Sequence, residues 1–110
     1  MFAITEKQRK IDGHRVWTFG RDVCDCSILE VEAGTNGFQG GDGGHGGRTY
    51  LRIRDGGGSV VRVTPIPSGY GTENDGFEMI LAGDSELKTL VTALKFAVKV
   101  LEDQINGVED

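Results

Sequence analysis

The residues best suited to bind a charged ligand lie in and just after a glycine-rich stretch. Eight of the fourteen residues from Gly34 to Gly47 are glycine, and glycine lets backbone N–H groups approach an anion closely. Arginine forks match phosphate oxygens, and a tyrosine ring can stack on a base. We therefore expect a binding site for a small phosphorylated ligand, most naturally a nucleotide. Its expected residues are Asn36, Asp42, His45, Arg48, Tyr50, Arg52 and Arg54.

The known phosphate and calcium motifs do not fit this stretch. Residues 41–46 match G-x-G-x-x-G by letter, but that fingerprint opens a helix, and here residues 48–55 alternate like a strand. A P-loop needs a lysine and a following helix, whereas this chain has Arg48. In the calcium-binding nonapeptide pattern Asp42 would come too early. The remaining hypothesis is a junction of a glycine-rich loop with a strand that carries arginines.

Other interpretations of the same residues stay open. The glycine-rich stretch can be a mobile spacer, and the strand arginines can pair with carboxylates of a neighbouring strand. The residues of that pairing are Arg52, Arg54, Glu30 and Glu32. Asp42 and His45 could act as acid and base in a small hydrolase, but a glycine-rich loop holds such groups too loosely for catalysis. We expect a binder without a catalytic residue or a cofactor.

Composition limits the class of protein. The chain has 110 residues, 37% of them hydrophobic and 26% charged, which is typical of one soluble globular domain spanning 1–110. Its net charge is −5, so we expect no binding to duplex DNA, because such binders cluster Lys and Arg. The sequence has no apolar run long enough to span a membrane and begins without the apolar region of a signal peptide. We expect a cytoplasmic protein with no membrane contact.

The cysteines and histidines do not predict a metal site. Cys24 and Cys26 form a C-x-C pair, and neither His14 nor His45 lies at a standard zinc spacing from them. On a strand, residues i and i+2 share a face. We interpret the two cysteines as small apolar residues on one face of a strand.

The pattern of the whole chain predicts an α+β fold: an antiparallel sheet of about six strands with one long C-terminal helix packed on one face. The sheet portion is 1–82 with the glycine-rich loop at 34–47, and the helix is 84–106. Asp12-Gly13 predicts a tight hairpin turn that sets Gln8 opposite Trp17. The expected strands are 5–11, 14–20, 23–33, 48–55, 59–66 and 77–82.

The helix has an apolar stripe that we expect to face the sheet. The stripe consists of Leu87, Leu90, Val91, Leu94, Val98, Leu101 and Ile105. At 100° per residue, Phe96 lies opposite the centre of this stripe and Val100 lies near Phe96. An exposed apolar pair there predicts a second contact surface, so we expect a homo-oligomer with Phe96 and Val100 in its interface.

Two segments resemble a known group of proteins. The stretches TNGFQGGDGGHGGRTYLRI and GDSELKTLVTALKFAVKVLEDQ resemble small proteins encoded by bacteriophages and prophages. That resemblance implies action in the infected host's cytoplasm, as an anti-defence sponge that sequesters a cyclic-nucleotide or cyclic-ADP-ribose immune signal. An alternative that it implies is an inhibitor, similar to anti-CRISPR proteins, that binds a host defence protein; a third hypothesis, from the residues alone, is a hydrolase of the nucleotide signal.

Overall fold

A computed structural model describes residues 4–41, 43–71 and 73–109, with side chains described as far as residue 106. Six strands precede one long helix, α1, that spans Asp84–Glu109, and a short 3₁₀ turn lies between the third and fourth strands at Gly43–His45. The strands are β1 (Thr5–Ile11), β2 (His14–Cys24), β3 (Ile28–Thr35), β4 (Thr49–Gly57), β5 (Val60–Pro67) and β6 (Asn74–Ala82). The predicted α+β class, its six strands and its C-terminal helix are confirmed.

The strands form two antiparallel sheets rather than the single sheet that we predicted. The larger sheet has the order β1-β2-β3-β4, and β5 pairs with β6 alone. The three glycines after Asp55 separate the two sheets, because Gly57 and Gly58 adopt positive φ angles of 153° and 74° and redirect the chain after β4. The chain therefore forms a four-stranded meander followed by a separate two-stranded hairpin.

The first hairpin forms as predicted. Asp12 and Gly13 have φ angles of 51° and 83°, which are the left-handed angles that a tight two-residue hairpin turn requires. Gln8 lies opposite Trp17, and Arg9 lies opposite Val16. β1 is an edge strand, in keeping with its run of charged side chains.

The expected strand 23–33 is wrong, because the chain turns within it. β2 continues to Cys24, and β3 begins only at Ile28. The turn is anchored to the helix through Ser27. This residue is buried, and its hydroxyl lies 2.9 Å from the hydroxyl of Ser85 at the start of the helix. Cys24 ends a strand and Cys26 lies in the turn, and both are exposed with free thiols. The interpretation of the cysteines as apolar residues on one strand face is wrong for this reason.

The helix contacts the sheet through a different face from the one that we predicted. Its buried residues are Glu86, near the start of the helix, and then the small or branched residues Thr89, Ala93, Ala97 and Val100. The three apolar residues among them form one buried cluster with Leu29, Val31 and Ala33 of β3 and with Val23. Small side chains at spacings of three and four let a helix lie close to a sheet, so this face is covered. Of the predicted stripe, Leu90 and Leu101 pack against the same cluster.

Phe96 and Val100 are consequently not an exposed pair. Val100 is 9% exposed and belongs to the core, and Phe96 packs against the same cluster with its ring 5.8 Å from the guanidinium carbon of Arg21. The expected second contact surface at these two residues is wrong. The exposed apolar side chains of the helix are instead Leu87, Val91, Leu94 and Val98.

Candidate functional site: a charged groove on the open face of the sheet

The four-stranded sheet has a groove on the face opposite the helix. Strand alternation turns Leu29, Val31 and Ala33 towards the helix, so Glu30 and Glu32 point to the other face. The groove crosses all four strands and has a volume of about 470 Å³. Its lining residues are Thr5, Lys7, Arg9, Gly20, Arg21, Asp22, Glu30, Val31, Glu32 and Arg52.

Gly20 supplies the floor of the groove at its centre. It lies in β2 directly opposite Thr5 on one side and Glu32 on the other. A Cβ atom at this position would lie 3.0 Å from the carbonyl oxygen of Val31 and 3.3 Å from Cβ of Glu32. Because glycine places no side chain there, the centre of the groove stays open beside Glu32.

Arg9 of β1 reaches across β2 to Glu32 of β3. Its Nη2 donates a hydrogen bond of 2.6 Å to Oε1 of Glu32, and its Nε donates to Oε2. The hydroxyl of Thr18 donates a further bond of 2.6 Å to Oε2. The same guanidinium lies over the ring of Tyr50, 4.9 Å from its centroid, at a distance typical of a cation–π contact. Arg9 therefore joins β1 to β3 and to β4.

These contacts fix the charges of the pair. The hydrogen bonds from Arg9 lower the pKa of Glu32 below its ordinary value; burial opposes that effect, and the bond from Thr18 assists it. The hydrogen bond with Glu32 correspondingly raises the pKa of Arg9. Glu32 is only 8% exposed, so its carboxylate is a buried anion held by one guanidinium and one hydroxyl.

Two further cations line the groove, Lys7 and Arg52, and the charge of Lys7 adds to the lowering of the pKa of Glu32. In the described part of the chain, neither Lys7 on β1 nor Arg52 on β4 makes an ion pair. Arg52 lies opposite Glu32 in the register, but the carboxylate of Glu32 is bound by Arg9. Sheet strands are about 4.8 Å apart, which places the backbones of β1 and β4 about 14 Å apart. One cation therefore stands on each wall of the groove.

The alternative pairing of the strand arginines is confirmed for one of the two. Nε of Arg54 lies 3.8 Å from Oε1 of Glu30, and both side chains are exposed to solvent. Such exposed pairs contribute little to stability, typically less than about 1 kcal/mol. Asp22 lies opposite Glu30 on β2, so carboxylates occupy the middle of the groove between the two cationic walls.

Side chains at the two ends of the glycine-rich loop hold it together by hydrogen bonds to its backbone. Asn36 donates from Nδ2 to the carbonyl of Gly46 at 2.8 Å and accepts at Oδ1 from the backbone N–H of Arg48 at 2.9 Å. Arg48 donates from Nη1 to the carbonyl oxygens of Gly43 and Gly47 and from Nε to Oδ2 of Asp12. These two predicted ligand residues thus hold the loop to itself and to the first hairpin turn.

The loop also covers part of the sheet. Gly46 is buried, with a φ of 99°, and a Cβ on it would lie 3.2 Å from atoms of the His14 ring. His14 and Val16 share the groove face of β2, and Val16 is fully buried. The loop therefore lies over the hairpin end of that face, and none of its described residues lines the groove.

The structure divides the predicted site into two parts. Tyr50, Arg52 and Arg54 lie on the groove face of β4, whereas Asn36 and Arg48 close the loop. His45 is exposed at the end of the 3₁₀ turn beside Gly40. Asp42 lies outside the described residues. Sequence reasoning missed Lys7 and Arg9 because the charges of β1 are also what an exposed edge strand needs, and their role depends on the order of the strands.

Removing the loop's arginine is expected to open the loop without affecting the sheet. In an Arg48→Ala variant, backbone amides within 36–47 should exchange hydrogen roughly tenfold faster, because each lost charge-assisted bond is worth about 1.5 kcal/mol or more. Hydrogen exchange read by mass spectrometry measures this. Arg54→Ala removes an equal charge from an exposed pair and serves as the control. Equal exchange rates in the two variants would contradict the bracing role of Arg48.

Further observations concern metal binding, membrane spanning and similarity to known proteins. No group of three or more His, Cys, Asp or Glu side chains among the described residues could hold a metal ion. The helix, within the same described ranges, lacks the apolar length needed to cross a bilayer. No protein-family model, no curated protein and no solved structure matches the chain.

Proposed function

We propose that the protein binds a small phosphorylated ligand in the groove and holds it without chemical change. The observation that carries the proposal is the presence of Lys7 and Arg52, each without an ion pair among the described residues, on opposite walls of one groove. Its volume of about 470 Å³ falls in the range of small-molecule sites, about 300 to 1,000 Å³.

The chemistry of the groove favours a ligand with two separated anionic groups. A guanidinium such as that of Arg52 binds a phosphate through two parallel hydrogen bonds, and the ammonium of Lys7 acts as a point charge. Asp22 and Glu30, between the walls, are acceptors suited to ribose hydroxyls or to amino groups of a base. A cyclic dinucleotide or an ADP-ribose derivative presents this combination.

The biological role that we propose for this binding is the sequestration of an immune signal. The resemblance to phage proteins supports an anti-defence sponge acting in the infected host, and a sponge needs binding alone. The buried carboxylate of Glu32 is held as an anion by Arg9, so it is not poised to exchange protons near neutral pH. Recovery of intact ligand from the denatured complex distinguishes this function from hydrolysis.

Binding should depend on Arg52 and not on charge in general. We expect calorimetric titration with cyclic mononucleotides, cyclic dinucleotides and ADP-ribose derivatives to give a micromolar or tighter dissociation constant for at least one compound. Arg52→Ala should weaken it at least tenfold, about 1.4 kcal/mol, because a bidentate phosphate contact is lost. Added salt should also weaken binding, since the contacts are ionic.

The matched control is Arg62→Ala. Arg62 is an exposed arginine on β5, so its removal changes the net charge equally and leaves the groove intact. Its dissociation constant should stay within about twofold of the wild-type value. Absence of binding across the whole panel, or equal losses in the two variants, would contradict the proposal.

A further inference from the structure

The pair of strands β5 and β6, here called the arm, is attached to the body at one end only. In the described part of the chain, its strands pair with each other and with no third strand. At the attached end, the N–H of Val60 donates to Oε2 of Glu86 in the helix at 3.0 Å, and Ser59 donates to the carbonyl of Ile28. A hairpin of two strands is marginally stable by itself in water, so the rest of the arm needs a covering surface.

One face of the arm is apolar along its whole length. The register places three cross-strand pairs on it: Val61 with Leu81, Val63 with Met79, and Pro65 with Phe77. Val61 packs against the buried core, whereas Val63 is 53% and Phe77 61% exposed. The same apolar face thus begins inside the protein and continues into solvent.

The helix has an unpartnered apolar flank of its own. Leu90 and Leu101 pack at the margin of the core, and the neighbouring positions around the helix are exposed. Four exposed apolar residues occupy those positions and are here called the helix flank: Leu87, Val91, Leu94 and Val98. Contiguous exposed apolar surface of this kind is characteristic of protein interfaces.

The dimensions of the chain also indicate an uncovered arm. Its radius of gyration is 15.5 Å, compared with about 13 Å for a compact domain of this length. The extents are 42 × 41 × 18 Å, so the molecule is broad and thin. An arm that projects from the compact body buries little of its surface against its own chain.

We infer that the arm of one chain packs on the helix flank of a second copy, and that the second copy returns the contact. Such a two-fold exchange uses each surface once and leaves neither uncovered. Charges agree with it: the exposed acidic residues Glu73 and Asp75, at the far end of the arm, are complementary to Lys88 and Lys95 beside the flank. Neither lysine makes an ion pair with a described residue.

The area available is sufficient for a stable dimer. The partly exposed apolar side chains on the arm and the flank leave on the order of 400 Å² of apolar surface on each copy. Interfaces are roughly 60% apolar, so the polar rim brings the total to roughly 670 Å² per partner, within the roughly 600 to 1,000 Å² per partner that specific complexes bury. A second copy is also the partner that is always present at equal concentration.

Sedimentation velocity with matched variants tests this dimer. The full chain should sediment at twice its mass of 11.8 kDa. Phe77→Lys on the arm and Leu94→Glu on the flank should each sediment as a monomer, because each places a charge in an apolar contact. Ile80→Lys is the control, since Ile80 is 48% exposed on the other face of the arm, and it should remain a dimer. Circular dichroism confirms that each variant is folded.

Mixing the two monomeric variants tests the exchange itself. A mixture of Phe77→Lys and Leu94→Glu chains should regain the dimer mass, because one contact of the mixed dimer is wild type and the other joins the new lysine to the new glutamate. A wild-type protein that sediments as a monomer at micromolar concentration would overturn the inference. A mixture that stays monomeric, or single variants that stay dimeric, would overturn it as well.

Discussion

Replacing Gly34 with alanine is expected to lower the free energy of unfolding by about 3 kcal/mol or more. A Cβ atom at this position would overlap the carbonyl oxygen of Trp17 and lie 2.8 Å from Cα of Thr18. Both are backbone atoms of β2, so no side-chain rotation relieves the overlap. The two central strands, β2 and β3, would have to separate at the Thr18–Gly34 end of their ladder.

The helix side of the sheet prevents an easy separation. Gln104 accepts a hydrogen bond at Oε1 from the N–H of Thr35 at 2.9 Å and donates from Nε2 to the carbonyl of Trp17 at 2.8 Å. One side chain of the helix thus bridges β2 and β3 beside Gly34. Moving the strands apart would break at least one of these bonds as well as the ladder, and a lost bond to a buried backbone group adds about 1 kcal/mol.

Urea unfolding measures the effect of this substitution, and Gly43→Ala is its control. Gly43 belongs to the same glycine-rich sequence, but a Cβ on it would meet nothing within 4 Å and its φ is not in the left-handed region. We expect Gly43→Ala to be neutral or to stabilise by up to about 1 kcal/mol, because alanine restricts the unfolded chain. Equal unfolding midpoints for the two variants would show that close approach at Gly34 is not what requires glycine.

The second large effect is expected at Arg9. Arg9→Ala should destabilise the protein by about 2 to 3 kcal/mol near neutral pH, because the buried carboxylate of Glu32 loses its cation and keeps only the bond from Thr18. The side chain of Arg9 is 30% exposed, which places the effect at the lower end for buried pairs. A double variant, Arg9→Ala with Glu32→Gln, should recover part of the loss, since no charge is then left unpaired.

The same pair predicts a pH dependence with a definite sign. Arg9 holds the pKa of Glu32 below its ordinary value, so the stability from this group is fully present above the pKa of glutamate in the unfolded chain. It is lost as pH falls through the lowered pKa of the folded protein. The gap in unfolding free energy between wild type and Arg9→Ala should therefore narrow as pH falls below about 4.5.

Arg54→Ala is the control for both measurements. Arg54 also pairs with a glutamate of β3, Glu30, but both side chains of this pair are exposed to solvent. We expect a change of less than about 1 kcal/mol and no narrowing of the gap at low pH. A loss in Arg54→Ala as large as in Arg9→Ala would show that burial of Glu32 does not set the difference.

Local patterns in the sequence were sufficient to predict much of the fold. The turn at Asp12-Gly13 determined the register of the first hairpin, and alternation in β3 identified Leu29, Val31 and Ala33 as one buried face. The helix orientation could not be predicted in the same way, because its apolar residues extend over more than one face. The leucine stripe was the more hydrophobic face, but Ala93 and Ala97 are the residues that permit close contact with β3.

The site was harder to predict from the sequence, because its residues are distant from one another along the chain. Arg9 and Glu32 are 23 residues apart in sequence and come together only because β2 pairs with the strands of both. The glycine-rich loop attracted attention through its composition. Its polar residues Asn36 and Arg48 turn out to satisfy the loop's own backbone, a use that composition alone does not distinguish from ligand binding.

The position of Trp17 determines which event its fluorescence can report. It is the single tryptophan of the chain; strand alternation turns its side chain away from the groove, and the helix residue Gln104 binds its carbonyl. Trp17 is 49% exposed on that other face, so a ligand in the groove would leave its emission nearly constant. Emission of Trp17 can therefore follow unfolding of the chain without interference from the occupancy of the groove.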